Sequence, residues 1–133
     1  MAQLKKILLI DDDPVTHFII KRMVAFLQLP WELRTYQHPA KLLWELGETD
    51  WRPDLAIVDQ HLPDITGPEL MELLRQQGHD FAWVWLSSGL ARPNLAGNLS
   101  PEAFFNKPIV PDTLRMCDTL ARLAMLQKST SQP

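Results

Sequence analysis

The sequence predicts an α/β fold, with a mostly parallel sheet covered on both faces by helices. Three observations predict it. Short aliphatic runs alternate along the chain with longer stretches of helical spacing. Three of those runs are continuous rather than alternating, as in strands buried on both faces. The 133 residues, 46% of them hydrophobic, are enough for one domain with a real core.

Each element has its own signal. Residues 7–10, Ile-Leu-Leu-Ile, are too short for a helix and read as a buried strand. Pro14 suits the first turn of a helix, where its missing N–H costs nothing. Val15, Phe18, Ile19, Met23, Phe26 and Leu27 give that helix its apolar spacing, and Leu29-Pro30 ends it. Residues 31–36 alternate and form a second strand. Pro39 opens a second helix through Leu42, Leu43 and Leu46, closed by Gly47. Residues 55–58 are a third strand, running into Asp59. Gly67-Pro68 precedes a third helix carrying Leu70, Met71, Leu73 and Leu74, which stops near Gly78. Residues 82–86 are a fourth strand and 103–105 a short fifth. Pro111 opens a last helix through Leu114, Met116, Leu120, Leu123 and Leu126. Residues 128–133 are polar and read as a disordered tail. The domain proper is therefore 1–127.

One stretch breaks the alternation. A crossover helix is expected between Ser88 and Ala103, but residues 89–101 hold two prolines, two glycines and two asparagines. A short or irregular fourth helix is expected there.

Composition excludes several classes. Thirteen basic against sixteen acidic residues give a net charge of −3, without the basic stripe of a nucleic-acid binder. No apolar run is long enough to span a bilayer. The N-terminus lacks the apolar stretch and cleavage site of a secretory signal. Cys117 is the single cysteine, so no internal disulfide can form. The expected setting is cytoplasmic.

In an open parallel sheet, ligands bind outside the carboxyl ends of the strands. The first strand ends in Asp11-Asp12-Asp13, the third in Asp59, the fourth in Ser87-Ser88 and the fifth in Asn106-Lys107-Pro108. Carboxylates, a hydroxyl and an ammonium thus converge on one rim. Mg²⁺ prefers one or two carboxylates with phosphate oxygens and water. A carboxylate can attack phosphorus to give an aspartyl phosphate. Phosphoryl transfer then needs charge stabilisation more than covalent help.

The stretches Ile7-Leu8-Leu9-Ile10-Asp11-Asp12-Asp13-Pro14, residues 53–59, residues 62–70, Leu86-Ser87-Ser88-Gly89 and Phe104-Phe105-Asn106-Lys107-Pro108 occur in order over nearly the whole chain. Together they resemble the receiver domain of two-component response regulators, in a stand-alone, chemotaxis-regulator-like form. The resemblance implies a flavodoxin-like, doubly wound sheet of five parallel strands in the order 2-1-3-4-5. It implies Asp59 as phosphoacceptor. Asp12 and Asp59 would ligate Mg²⁺ directly, Asp11 through water, and the backbone carbonyl of His61 would complete the set. Ser87 would bind a phosphoryl oxygen. Lys107 would pair with the phosphoryl group or, without it, with Asp59. Phe104 falls at the family's switching aromatic. A sensor histidine kinase or histidine phosphotransfer domain would be the donor and a downstream protein the effector. The chain would catalyse its own phosphorylation and dephosphorylation rather than turn over a separate substrate. Residues 89–101, Phe104 and the last helix would form the partner face.

Some features depart from the common pattern. Thr66 stands where an aspartate often precedes the glycine, and Gly89 offers no side chain to position water. Ser88 competes with Ser87 as the reporting hydroxyl, with strand counting favouring Ser87. Asp13 reads as a helix cap. His17, His38 and His79 are scattered, against a metal cluster. Trp83 and Trp85 share one strand face and read as a bulky core, each indole N–H needing a partner.

Two rival functions remain. A haloacid-dehalogenase-like phosphatase would use Asp11 as nucleophile and Asp13 as acid–base, but its late acidic pair would have to come from Asp112 and Asp118, both in a helical stretch. A phosphorylation-independent adaptor would keep the fold and lose the site.

Overall fold

A computed structural model describes residues 3–89 and 100–131. Five strands alternate with helices in this order: β1 (Lys5–Ile10), α1 (Pro14–Phe26), β2 (Trp31–Tyr36), α2 (Pro39–Glu48), β3 (Leu55–Asp59), α3 (Gly67–Gln76), β4 (Ala82–Ser87), β5 (Ala103–Asn106) and α4 (Pro111–Ser131). The strands form one sheet in the order β2-β1-β3-β4-β5. All four pairings are parallel. This is the flavodoxin-like order that the resemblance implied. The expected irregular fourth helix lies outside the described residues.

The two-residue period of the central strands divides the core in two. Leu8, Ile10, Ala56, Val58, Trp83 and Trp85 face α2 and α3 with Leu42, Leu46, Leu70 and Leu74. Ile7, Leu9, Leu55, Ile57, Val84 and Leu86 face α1 and α4 with Ile20, Leu114, Cys117 and Ala121. The sheet is clamped at its amino end. Lys6 N–H donates to Asp54 Oδ2 at 2.8 Å, and Asp54 N–H returns to the Lys6 carbonyl at 2.7 Å. Asp118 on α4 accepts from the Trp31 indole at 2.8 Å and pairs with Lys5 at 3.1 Å.

Several expectations are corrected. In α1 the buried residues are Thr16, His17 and Ile20, whereas Val15, Phe18 and Phe26 are exposed. The helix is rotated because its first turn is pinned: Asp13 Oδ1 accepts the Val15 N–H at 2.9 Å, and His17 Nε2 lies 2.6 Å from the Asp11 carbonyl. The helix also ends at Phe26, short of Leu29-Pro30, with Gln28 at φ 53°. Gly47 does not close α2. The helix runs to Glu48, and Thr49 caps it by giving both its N–H and its hydroxyl to the Glu45 carbonyl, at 3.0 and 2.9 Å. In α4, Leu114, Cys117, Ala121 and Ala124 are buried while Met116, Leu123 and Leu126 are exposed. Small side chains let this helix lie close on the sheet. The helix continues through Ser131, over residues that the sequence assigned to a disordered tail from 128 onward. Among the described residues no helix is long and apolar enough to cross a membrane.

Gly67 opens α3 where space is shortest. A Cβ there would lie 2.6 Å from the Asp59 carbonyl oxygen and 2.9 Å from the Trp85 ring. One is strand backbone and the other a fully buried indole, so neither can retreat cheaply. Gly67→Ala is expected to cost about 2 kcal/mol, read as a lower urea midpoint with an unchanged slope. A variant as stable as the parent would mean that β3 and α3 are free to part.

Candidate functional site

The carboxyl ends of β1, β3, β4 and β5 bring the site together. Carboxylate oxygens of Asp11, Asp12 and Asp59 all lie within 4.8 Å of one another. Asp11 and Asp59 are buried and Asp12 is exposed. Asp11 is held on both sides: one oxygen accepts the Asp13 N–H at 2.8 Å, and the other lies 2.8 Å from Lys107 Nζ. The same ammonium pairs with Asp59 Oδ1 at 3.8 Å, the pairing expected, but its shorter contact is with Asp11. The reason is reach. Asp11, fully buried and fixed by the Asp13 amide, presents its free oxygen to the ammonium at hydrogen-bond distance.

The electrostatics follow. Burial, then the charge of Asp11, pushes the Asp59 carboxyl up to about 7, against the pull of Lys107 and the His61 N–H. Lys107 is drawn down by burial, but its hydrogen bond and charge attraction to Asp11, with Asp59 adding to them, leave it raised overall. Three carboxylates against one ammonium leave excess negative charge, which a hard dication would relieve. The donor set therefore fits Mg²⁺: all-oxygen, partly buried, and open to water on the Asp12 side.

The remaining predicted residues are also placed. Ser87 is buried at the end of β4, and Lys107 N–H donates to its carbonyl at 2.8 Å, carrying the ladder past Asn106. Ser88 is exposed. His61 is exposed, and its backbone N–H reaches Asp59 Oδ1 at 3.5 Å. Phe104 is in register with Trp85, two strands from Asp59. Trp83 and Trp85 are both buried and pack edge to face at 5.2 Å, as a bulky core. The Trp85 indole N–H finds no acceptor among the described residues. At the loop into α3, Thr66 forms a reciprocal cap with Glu69, which suits threonine there: its hydroxyl accepts the Glu69 N–H at 3.2 Å and its own N–H donates to Glu69 Oε1 at 3.1 Å.

Two residues at the site escaped the sequence reading. Gln60 gives its backbone N–H to the Leu86 carbonyl at 2.9 Å, and its side-chain oxygen accepts from Ser87 Oγ at 2.5 Å. A polar residue directly after a strand-end aspartate was the available signal. His17, read as scattered, is buried against the Asp11 carbonyl. Its position one turn into the helix after Asp13 was the available signal. The acids needed by the phosphatase reading lie elsewhere. Asp118 is bound to Lys5 and Trp31 at the amino end of the sheet, and Asp112 is exposed beside Arg115 at 3.0 Å.

Comparison with known proteins agrees with this geometry. A family model described as "Response regulator receiver domain" matches residues 7–117. The chain belongs to that family. It is 31% identical over 130 residues to the response regulator RppA of Synechocystis, covering 96% of this chain and 52% of RppA. It is 35% identical over 69 residues to the two-component response regulator ORR21 of Oryza sativa, covering 52% of this chain and 10% of that protein. The chain thus spans about half the length of the first relative and a tenth of the second. Among solved structures, a CheY-like receiver domain protein from Methanospirillum hungatei superposes with a TM-score of 0.75 at 22% identity, over 94% of this chain and 99% of that one. The chemotaxis response regulator CheY4 of Vibrio cholerae gives 0.70 at 18%, over 89% and 99%. These two likenesses concern the fold.

Proposed function

We propose that this receiver domain takes a phosphoryl group on Asp59 from the phosphohistidine of a sensor kinase or phosphotransfer domain. One observation carries the reading. Asp11, Asp12 and Asp59 converge within 4.8 Å while Lys107 sits 2.8 Å from Asp11 and 3.8 Å from Asp59. In the step, an Asp59 oxygen attacks phosphorus, the P–N bond breaks, and the donor imidazole leaves with the electron pair.

Asp12, Asp59 and the His61 backbone carbonyl would hold Mg²⁺ directly. Both oxygens of Asp11 are already engaged by the Asp13 amide and Lys107, which supports a water-mediated role for it. The ion would neutralise charge on the phosphoryl oxygens. Lys107 is close enough to turn from Asp11 toward a group on Asp59, and the buried Ser87 hydroxyl is better placed than exposed Ser88 to bind a phosphoryl oxygen. Phe104 and α4 would carry the change to a protein effector, with Phe104 packed on the core that holds Trp85.

Intact mass after incubation with acetyl phosphate and Mg²⁺ tests this. The parent should gain one phosphoryl group, Asp59→Asn none, and Asp11→Asn less without moving the site. An adduct lost in Asp11→Asn and kept in Asp59→Asn would transfer the nucleophile to Asp11. No adduct in the parent would favour a binding-only adaptor.

A further inference from the structure

The geometry points to Gln60 as a latch on the Ser87 hydroxyl, a positioning residue that competes with the phosphoryl group for a single proton. The inference rests on the phosphoacceptor reading of Asp59.

A serine hydroxyl has one proton to donate. Here Oγ lies 2.5 Å from Gln60 Oε1, the shortest contact it makes. One of its two lone pairs is also used, because the Gly89 N–H donates to the same Oγ at 3.1 Å. The Gly89 carbonyl stands by at 3.2 Å as a second, longer acceptor for the same proton. Ser87 is buried, so water does not replace these partners freely. In the unphosphorylated state the hydroxyl is thus committed to Gln60.

The backbone holds both ends of this contact. Asp59 is in register with Leu86, and Gln60 N–H continues the β3–β4 ladder onto the Leu86 carbonyl at 2.9 Å. Ser87 is fixed on its other side by the Lys107 N–H at 2.8 Å. Gln60 and Ser87 are therefore neighbours across two adjacent strand ends, next to the acceptor on one strand and next to Lys107 on the sheet's far side. The amide of Gln60 needs no backbone movement to keep its hold.

For Ser87 to bind a phosphoryl oxygen, its proton must leave Gln60. A charged oxygen is the stronger acceptor, so the exchange proceeds, but the neutral hydrogen bond is lost on the way. Gln60 then sets the threshold for occupancy of the site: it favours the unoccupied form without touching the acceptor.

Beryllofluoride, formed from beryllium chloride and fluoride with Mg²⁺, is the probe, titrated by ¹⁹F NMR into the full chain. Gln60→Ala is expected to bind it about three- to tenfold more tightly, the loss of one neutral hydrogen bond in the free state. Gln60→Met, which keeps the side-chain length without an acceptor, should do the same. In a Ser87→Ala background both gains should vanish, because no hydroxyl remains to be released. A gain that persists without Ser87, or no gain in either variant, overturns the latch. If the parent binds no beryllofluoride and takes no phosphoryl group, the reading of Asp59 fails, and the latch fails with it.

Discussion

Lys107→Met is expected to destabilise the metal-free protein by about 3 kcal/mol at pH 8, roughly 10 °C in Tm. Methionine keeps the stem and removes the ammonium. That ammonium sits 2.8 Å from Asp11, which is fully buried, and 3.8 Å from Asp59. Removing one partner of a buried pair costs more than the pair contributed, because the survivor keeps its desolvation penalty. Here two carboxylates survive. The sign with pH is set by their protons. At pH 8 Asp59 is ionised in the parent, and in the variant it loses the ammonium that pulls its carboxyl down, so the cost is largest at high pH. As the solution is acidified Asp59 takes up a proton, at a higher pH in the variant than in the parent, so the deficit should narrow. Millimolar Mg²⁺ should return part of the loss at pH 8, since an ion bound only by the folded state stabilises it by mass action. Thermal melts at pH 5 and pH 8, with chelator and with Mg²⁺, would check all three. A variant that melts with the parent at pH 8 would show that the cluster does not depend on Lys107.

Asp59→Asn should move stability the other way, by about 3 kcal/mol at pH 8 in chelator. The folded carboxyl titrates at about 7, and the same group in an unfolded chain near 3.9. Below about pH 4 both states hold the proton and the substitution gains nothing. Between about 4 and 7 the unfolded chain releases its proton while the folded one keeps it, so the parent loses stability as pH rises. Above about 7 the cost is complete. The full linkage figure is about 4 kcal/mol, and water on the open Asp12 side reduces it. Asparagine does not ionise and escapes the loss, while Lys107 retains Asp11. Urea denaturation across pH 4 to 8 should show the two proteins diverging through that window. A constant offset would mean that Asp59 is not strained by burial and Asp11. If Asp59 has the role proposed above, this stored penalty would also ready its carboxylate for a cation or a phosphoryl group.

Much of the rim could be read from residue order alone. Asp11, Asp12, Asp59, Ser87 and Lys107 each lie at the end of a short apolar run, and in a parallel sheet every such end opens on one edge. The side-chain pairings on that rim could not be read. Lys107 sits closer to Asp11 than to Asp59, and Ser87 on Gln60, because each choice depends on distances of about an ångström between separate strands.

Helix orientation divides in the same way. Proline at the first turn located α1, α2 and α4, and the aliphatic runs located β1, β3 and β4. The sequence does not say which helical stripe faces the sheet when two stripes are apolar. In α4 Met116, Leu123 and Leu126 lost to Cys117, Ala121 and Ala124, which share the buried face with Leu114, since small residues allow the closer approach. In α1 the anchor of His17 on the Asp11 carbonyl turned Phe18 outward. What the sequence determined by itself was the set of strands and the chemistry at their ends, because those depend on local runs and on the one-sided geometry of parallel strands. The tertiary structure alone decided which polar groups meet and which helical face is buried, because both are contests between partners brought together only by the packed sheet.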